Sequence, residues 1–315
     1  MSDSFTLRPY QPSQDFPALE RLIHAVDHTD PQLQAWSYSL LEAKEFPHHA
    51  LEQDRFVLMD RSEALGYGWI GGPQLERPDL WLCVHPEHRR KGYGSALLER
   101  LLKRARERGA GEAAGYIKEH RPEYAHFAAQ RGFGRVGFYR ELLRAAHLPL
   151  EPAVFPKGWT VRTYAQLPNP QTVVEAYQRS FGDLWGHNPT TLENLTPWLE
   201  EIDPNGLFML FDGLGNVAGN VVATRSLRLP SGPSGNEPHL LDAPGLAPEH
   251  RRPELYAALA NLALEWLLAL EKRDVVLESW GDADAVMSAY GALGFVESSR
   301  SSYVWQRLAL EGVEG

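Results

Sequence analysis

The chain has 315 residues, a net charge of −10 at neutral pH and a single cysteine, Cys83. This length exceeds the size at which one hydrophobic core usually divides, so we expect two domains. The acidic balance argues against a nucleic-acid binder, and no apolar run reaches the roughly 18 residues of a membrane span.

The first half alternates between strand-like and helix-like patterns. Segments with a period of two residues are predicted as strands, and those with a period of 3.6 residues as helices. In chain order we predict a strand at 6–10, helices at 16–26 and 32–43, a hairpin at 55–60 and 64–71, a strand at 80–84, a helix at 95–107, a strand at 113–118, a helix at 124–130 and a strand from 133 to 143.

The second half gives the same order after a linker that contains Pro149, Pro152 and Pro156. We predict a strand at 159–163, helices at 171–181 and 190–201, strands at 207–212, 216–225 and 239–246, a helix at 254–270, a strand at 274–279, a helix at 283–292 and a strand at 295–307.

Short sequence matches support a duplication. Pro-Glu-His-Arg-Arg at 86–90 recurs at 248–252, and the Gly-Phe pair that ends at Phe133 recurs at Phe295, in both cases 162 residues later. A period of this size fits a whole domain. The sequence therefore predicts two tandem domains, 1–149 and 150–315, each of the α/β class.

Cys83 and the chain start indicate the compartment. One cysteine excludes an internal disulfide, and the first residues lack the basic and apolar segments of a secretory signal, so we expect a cytoplasmic protein, monomeric or homodimeric. Cys83 lies in an apolar strand and is interpreted as a core residue. No group of Cys and His residues has metal-ligand spacing, so we expect no metal.

A glycine-containing basic turn joins the strand at 80–84 to the helix at 95–107. A turn of this kind places backbone N–H groups at a helix N-terminus, where the helix dipole favours phosphate. Gly92 and Gly94 let phosphate approach the backbone because they carry no Cβ, and Arg89, Arg90 and Lys91 add positive charge. The alternative is an ordinary strand-to-helix turn whose basic residues serve solubility.

Arg89, Gly92 and Gly94 fill the pattern Gln/Arg-x-x-Gly-x-Gly/Ala, and the segment resembles the pyrophosphate loop of the GNAT acyl-CoA-dependent N-acyltransferases. The predicted order of elements also resembles the GNAT order in both halves, which implies a mixed central sheet flanked by helices in each domain. The resemblance implies acetyl-CoA as the co-substrate and a primary amine as the acceptor. It assigns cofactor binding to the strand and loop residues Leu82, Cys83, Val84, Arg89, Arg90, Lys91, Gly92, Tyr93, Gly94, Ser95 and Ala96.

The acid that protonates the departing thiolate is not obvious in the first half. GNAT enzymes frequently carry a tyrosine five residues before the phenylalanine of the Gly-Phe pair, and here that position is Ala128. Tyr124 lies one turn earlier on the same helix face and is our candidate. The alternative is a tyrosine that packs on the helix surface.

The general base is expected near the strands that hold the thioester. The acidic and histidine candidates are Asp79, Glu112, Glu119 and His120, and we favour Glu119 because it follows the strand at 113–118. Each of the four could also be an ordinary surface charge.

The second half departs from the family pattern at its own loop. Pro253, Glu254 and Tyr256 stand where Lys91, Gly92 and Gly94 stand in the first half. Proline removes a backbone donor, glutamate repels phosphate and tyrosine fills the open space. We therefore predict a degenerate loop in this half, although Tyr290 occupies the family's tyrosine position.

The segment 180–189 is similar to a Phe-x-x-x-Trp-Gly-x-x-Pro segment of tandem GNAT proteins related to mycothiol synthase. Trp185 and His187 would line a cavity under this resemblance; alternatively they pack under a loop. Two hypotheses for the whole chain stay open. One is an N-acetyltransferase for a small amine with a catalytic N-terminal domain, and the other is a non-catalytic acyl-CoA-binding or sensor protein.

Overall fold

The computed structural model of the chain describes residues 5–30, 52–72, 76–118, 120–184, 187, 190–225, 238–298 and 303–310. The chain divides into two compact units. Unit 1 comprises Met1–Val136 and Tyr303–Gly315, and unit 2 comprises Gly137–Ser302. The predicted helix at 32–43 and the predicted loop insertion near 229–235 lie outside the described residues.

Unit 1 contains a mixed sheet with the strand order β1-β2-β3-β4-β5-β13. Neighbouring strands are antiparallel except β4 and β5, which are parallel. The elements are β1 (Thr6–Pro9), α1 (Pro12–Thr29), β2 (Arg55–Asp60), β3 (Glu63–Gly71), β4 (Asp79–Val84), a 3₁₀ turn (Pro86–His88), α2 (Tyr93–Glu107), β5 (Glu112–Lys118), α3 (Pro122–Ala129) and, from the C-terminal part of the chain, β13 (Tyr303–Ala309).

Two apolar layers cover the sheet of unit 1. The buried side chains of α2 recur at helical spacing and pack with Leu80 of β4 and Ala113 of β5. On the other face, Ile23 and Val26 of α1 pack with Cys83. Because side chains alternate along a strand, β4 sends Leu80, Leu82 and Val84 toward α2, and Asp79, Trp81 and Cys83 toward the face of α1.

Unit 2 repeats this plan with the strand order β7-β8-β9-β10-β11-β6, in which only the β10–β11 pair is parallel. Its elements are β6 (Gly134–Arg144), β7 (Thr160–Thr163), α4 (Pro170–Phe181), α5 (Leu192–Glu201), β8 (Leu207–Phe211), β9 (Val217–Thr224), β10 (His239–Leu246), a 3₁₀ turn (Pro248–His250), α6 (Pro253–Leu270), β11 (Val275–Trp280), α7 (Asp284–Ala292) and β12 (Val296–Glu297), which pairs with β6.

The predicted mixed α/β architecture is confirmed. The strands are, however, distributed between the two units differently from the predicted division at 149/150. β6 belongs to the first half of the sequence, yet it pairs with β11 of unit 2 over Tyr139–Arg144. β13 comes from the end of the chain and pairs with β5 of unit 1. The predicted strand at 295–307 is correspondingly divided between β12, in unit 2, and β13, in unit 1.

A buried arginine holds the connection that follows β6. The Arg144 side chain is fully buried and donates to the carbonyl oxygens of Leu293 (2.7 Å), Leu148 (3.1 Å) and Pro149 (2.8 Å). Leu293 is the C-terminal cap of α7, so the guanidinium satisfies a helix-end carbonyl and meets the negative end of the helix dipole. Burial lowers the pKa of Arg144, but an arginine remains charged at neutral pH.

Candidate active site

A fork between two strands forms the centre of the candidate site in unit 1. Within the described residues, the parallel pairing of β4 with β5 is confined to Asp79 opposite Ala114, and beyond it the strands diverge. A cavity of about 580 Å³ opens there, lined by β4, the N-terminus of α2, β5 and α3. The backbone of Leu80–Val84 thus has an edge toward the cavity that β5 does not cover.

The turn that follows β4 gives one end of the cavity a backbone geometry that suits an anion. Gly92 has φ +88° and caps α2, and Arg90 also has a positive φ of 63°. No heavy atom of the described residues would lie within 4 Å of a Cβ added at Gly92, so the space above this backbone is open. The first N–H groups of α2 have no partner within the helix and carry the positive end of its dipole.

Arg89 and Arg131 bring positive charge to this end from two directions. Arg89 donates from Nε to the carbonyl oxygen of Val84 over 3.2 Å. Arg131 follows α3; it stacks on the ring of Phe127 at 3.8 Å, donates to the carbonyl oxygen of Phe127 over 2.9 Å and also donates to the hydroxyl of Ser95. Sequence reasoning missed Arg131, for which the one signal was its position immediately before the Gly-Phe pair.

Most of the predicted cofactor-binding residues border this cavity. Lys91 is exposed and approaches Nδ1 of His88 at 3.5 Å, and Tyr93 is buried against the ring of Phe5 with centroids 5.2 Å apart. Neither these two nor Ala96 lines the cavity. The predicted residues that do are Leu82, Cys83, Val84, Arg89, Arg90, Gly92, Gly94 and Ser95.

The thiol of Cys83 has the environment of a core residue. It is buried among the apolar side chains between the sheet and α1. Burial raises the pKa of Cys83 to about 12, which leaves almost no thiolate at neutral pH.

Tyr124 lines the cavity, as does Ala128 one turn later on α3. The Tyr124 side chain is half-buried, and burial raises the pKa of its hydroxyl. The guanidinium of Arg121 lies 5.5 Å from the centre of its ring. Tyr124 is therefore a neutral phenol on the cavity wall.

The four candidates for the base have different surroundings. Glu119, which we favoured, lies outside the described residues. Glu112 pairs with Arg307 at 2.8 Å, and His120 has Nε2 3.4 Å from the buried Asp30. Burial raises the pKa of Asp79 to about 6, and the hydroxyl of the cavity-lining Tyr116 donates a hydrogen bond to its carboxylate.

The corresponding turn of unit 2 keeps one contact and loses the open space. Arg251 donates from Nε to the carbonyl oxygen of Leu246 over 3.1 Å, as Arg89 does to Val84. Its outer nitrogens, however, bind the carboxylate of Asp183 at 2.5 and 2.7 Å. Arg252 is extended, with φ −127°, and α6 begins at the next residue, so no left-handed turn precedes this helix.

Side chains occupy the rest of this region in unit 2. Tyr256 is buried, and burial raises its pKa to about 12. Tyr290 is fully buried, and its hydroxyl lies 3.4 Å from Oδ2 of Asp282, which also accepts from Ser279 at 2.7 Å. Trp185 lies outside the described residues, whereas His187 is half-buried with Nε2 3.3 Å from the hydroxyl of Thr190.

Comparison with known proteins identifies the class. Residues 20–138 match the profile of the acetyltransferase (GNAT) family. This segment contains the fork, the turn and α3, so the predicted resemblance to GNAT acetyltransferases is confirmed for this part of the chain.

The chain is similar to mycothiol acetyltransferases. It is 33% identical over 134 residues to that of Thermomonospora curvata, a match that covers 41% of this chain and 43% of the relative. It is 28% identical over 238 residues to that of Geodermatophilus obscurus, covering 71% of this chain and 72% of the relative.

Solved structures share the fold along nearly the whole chain. A GCN5-related N-acetyltransferase from Sphaerobacter thermophilus has a TM-score of 0.72 at 20% identity and covers 98% of this chain and 97% of its own. A tandem GNAT protein from the clavulanic acid biosynthesis pathway has a TM-score of 0.60 at 20% identity, with 98% and 99% covered.

Two further observations concern the described residues alone. Of the helices that the structure describes, none combines the length and apolar character that a bilayer crossing requires. Nor do the described side chains include a group of three or more His, Cys, Asp and Glu placed to hold a metal ion.

Proposed function

We propose that unit 1 transfers an acetyl group from acetyl-CoA to the primary amine of a small acceptor. The observation that carries this proposal is the continuity of the cavity, which runs from the fork between β4 and β5 to the open N-terminus of α2. Its volume of about 580 Å³ lies within the roughly 300–1,000 Å³ typical of ligand pockets.

Positive charge at the end of the cavity near the turn before α2 supports binding of the CoA phosphates. The cavity-lining side chains include the cations Arg89, Arg90, Lys118 and Arg131, and the acid Glu123. Three of the four cations adjoin the N-terminus of α2 or the turn before it, where the helix dipole adds to their field. Guanidinium groups suit phosphate because their planar donors can bind two oxygens at once.

The uncovered edge of β4 supports binding of the pantetheine arm. On the side of β4 away from β3, backbone groups of every second residue are available to an extended chain, as they would be to another strand. A backbone N–H on this side could hold the oxyanion as the amine attacks the thioester. The C–N bond forms, the C–S bond breaks and the electron pair goes to sulfur. In this proposal Tyr124, a neutral phenol that lines the cavity, protonates the thiolate.

Unit 2 has a different role in this proposal. The ion pair of Arg251 with Asp183 neutralises the cation, buried Tyr256 fills the space, and a helix that begins at Pro253 replaces the open turn. We infer that the halves 1–149 and 150–315 descend from two GNAT domains and that the second half has lost CoA binding.

Two measurements on the full chain test the proposal. Titration calorimetry with CoA should give one site per chain, and two sites or none would contradict the assignment. Release of free thiol from acetyl-CoA should depend on an added amine, offered as glucosamine, 2-phenylethylamine, spermidine or lysine. CoA binding without release of thiol to any of these would favour the non-catalytic alternative for this site.

A further inference from the structure

Asp79 and Tyr116 meet at the point where β4 and β5 separate. Asp79 is the β4 residue paired with β5, opposite Ala114, and Tyr116 is two residues beyond Ala114. Strand alternation puts both side chains on the sheet face toward α1, because Leu80, Ala113 and Ile117 belong to the α2 side. The Tyr116 hydroxyl donates across the fork to the Asp79 carboxylate.

The two residues differ in their access to the cavity. Tyr116 lines it and is 44% exposed, whereas Asp79 is half-buried behind it and does not line the cavity. A ligand in the cavity therefore meets Tyr116 first, and the carboxylate would act through Tyr116.

We propose that Tyr116 and Asp79 form a proton relay for the attacking amine. This inference rests on the proposed function. As the C–N bond forms and the C–S bond breaks, the proton leaving nitrogen goes to the Tyr116 oxygen, and the phenol proton passes to the Asp79 carboxylate. Tyr116 is then the catalytic residue, and Asp79 is a positioning residue that supplies the basicity.

The surroundings of the carboxylate suit this role. Arg77, in the segment before β4, and Tyr116 both favour its ionised form, while burial disfavours it more strongly. Gly71, which pairs with Asp79 from the end of β3, and the following Gly72 carry no charge. The resulting pKa of about 6 leaves Asp79 ionised at neutral pH but far more basic than an exposed aspartate.

Unit 2 lacks the pair, as expected if the relay serves a reaction confined to unit 1. Tyr116 is replaced by Glu278, 162 residues later. The residue of unit 2 that corresponds to Asp79 is Leu240 or Leu241, because the β-bulge in β10 shifts the correspondence between the two units by one residue. Neither leucine can accept a proton.

The test uses the full-length enzyme, acetyl-CoA and whichever of glucosamine, 2-phenylethylamine, spermidine or lysine gives the fastest thiol release. Wild-type kcat at saturating amine should fall as pH decreases through about 6, because the carboxylate becomes protonated. Asp79→Asn and Tyr116→Phe should each lower kcat about 100-fold or more, the usual scale of general-base catalysis. CoA affinity should be unchanged in both variants. In Asp79→Asn the fall of kcat at low pH, the acidic limb of the pH profile, should disappear.

Two matched variants distinguish the relay from other acids that could act as the general base. Glu123→Gln removes an acid that lines the same cavity, and Glu119→Gln removes the acid favoured from the sequence; both should keep the acidic limb. A limb retained in Asp79→Asn, or lost in either glutamine variant, would overturn the relay while leaving acetyl transfer intact. If wild-type enzyme acetylates none of the amines, the proposed function fails and the relay fails with it.

Discussion

The Nε atom of Arg89 donates to the carbonyl oxygen of Val84 over 3.2 Å, which ties the first arginine of the turn to the last residue of β4. Arg251 makes the same contact to Leu246 over 3.1 Å in unit 2. The two turns therefore share a backbone anchor and differ in what the outer guanidinium nitrogens bind. In unit 2 that partner is Asp183.

Replacing the two arginines should separate these roles. Arg89→Met should weaken CoA binding by about 1.5–3 kcal/mol, the value of a charge-assisted hydrogen bond. Arg251→Met should leave CoA affinity unchanged and lower the free energy of unfolding by about 1–2 kcal/mol, because the carbonyls of Leu246 and Ser180 lose a donor. Calorimetry and urea unfolding on both variants measure this; equal losses of CoA affinity would contradict the assignment to unit 1.

Gly92 tests the open turn. Gly92→Glu places a carboxylate beside the expected phosphates and should weaken CoA binding tenfold or more, about 1.4 kcal/mol per decade. Gly92→Asn is the control, since asparagine tolerates the left-handed conformation that φ +88° requires and adds no charge. It should retain most of the affinity. Comparable losses in both variants would point to backbone strain in place of electrostatic repulsion.

Arg131 should contribute to CoA binding through its guanidinium. Arg131→Met removes the charge beside Ser95 and should raise the KM for acetyl-CoA about tenfold with little change in kcat, since the contact is made equally in the ground and transition states. Arg131→Lys keeps the charge but loses the stacking on Phe127 and the bidentate geometry. Its KM should be intermediate, and a wild-type KM in the methionine variant would exclude Arg131 from the site.

Local patterns allowed the turn between β4 and α2 to be predicted, whereas the side chains that reach this turn from distant parts of the sequence were not predictable. Gly92 and Gly94 before an apolar-periodic helix were enough to place the turn, and α2 begins at Tyr93, two residues before the predicted start. Arg131 reaches Ser95 from 36 positions away, and no periodicity reports such a contact. The hydrogen bond between Tyr116 and Asp79 likewise depends on strand register, which the sequence left open.

Arg144 should be a large single contributor to the stability of unit 2. Arg144→Met would leave the carbonyls of Leu293, Leu148 and Pro149 without this donor, and we expect the free energy of unfolding to fall by about 1–3 kcal/mol, the cost of partly buried acceptors that lose their hydrogen bonds. Arg144→Lys keeps a cation with fewer donors and should lose less. Urea unfolding monitored by tryptophan fluorescence measures both, and a loss below about 1 kcal/mol in the methionine variant would contradict this role.

Cys83 should behave as an inert thiol although it borders the cavity. With its pKa raised to about 12, the thiolate fraction increases only as pH approaches that value, so alkylation by iodoacetamide at pH 7–8 should be far slower than for an exposed cysteine. The rate should rise to that of a free thiol after unfolding in urea. Rapid labelling of the native protein would show that the thiol is accessible and activated.

The pairing of β13 with β5 affects how the chain reaches its native state. Unit 1 receives its last strand from Tyr303–Ala309, after all of unit 2 has been synthesised. Until then β5 presents an unpaired edge, which is a site for mispairing and aggregation. A fragment ending at residue 149 would lack this strand and carry β6 without its partner β11, so neither half of the sequence coincides with one of the two compact units. Assembly of unit 1 therefore waits for a strand that is made after unit 2, and the unit that begins first is completed last.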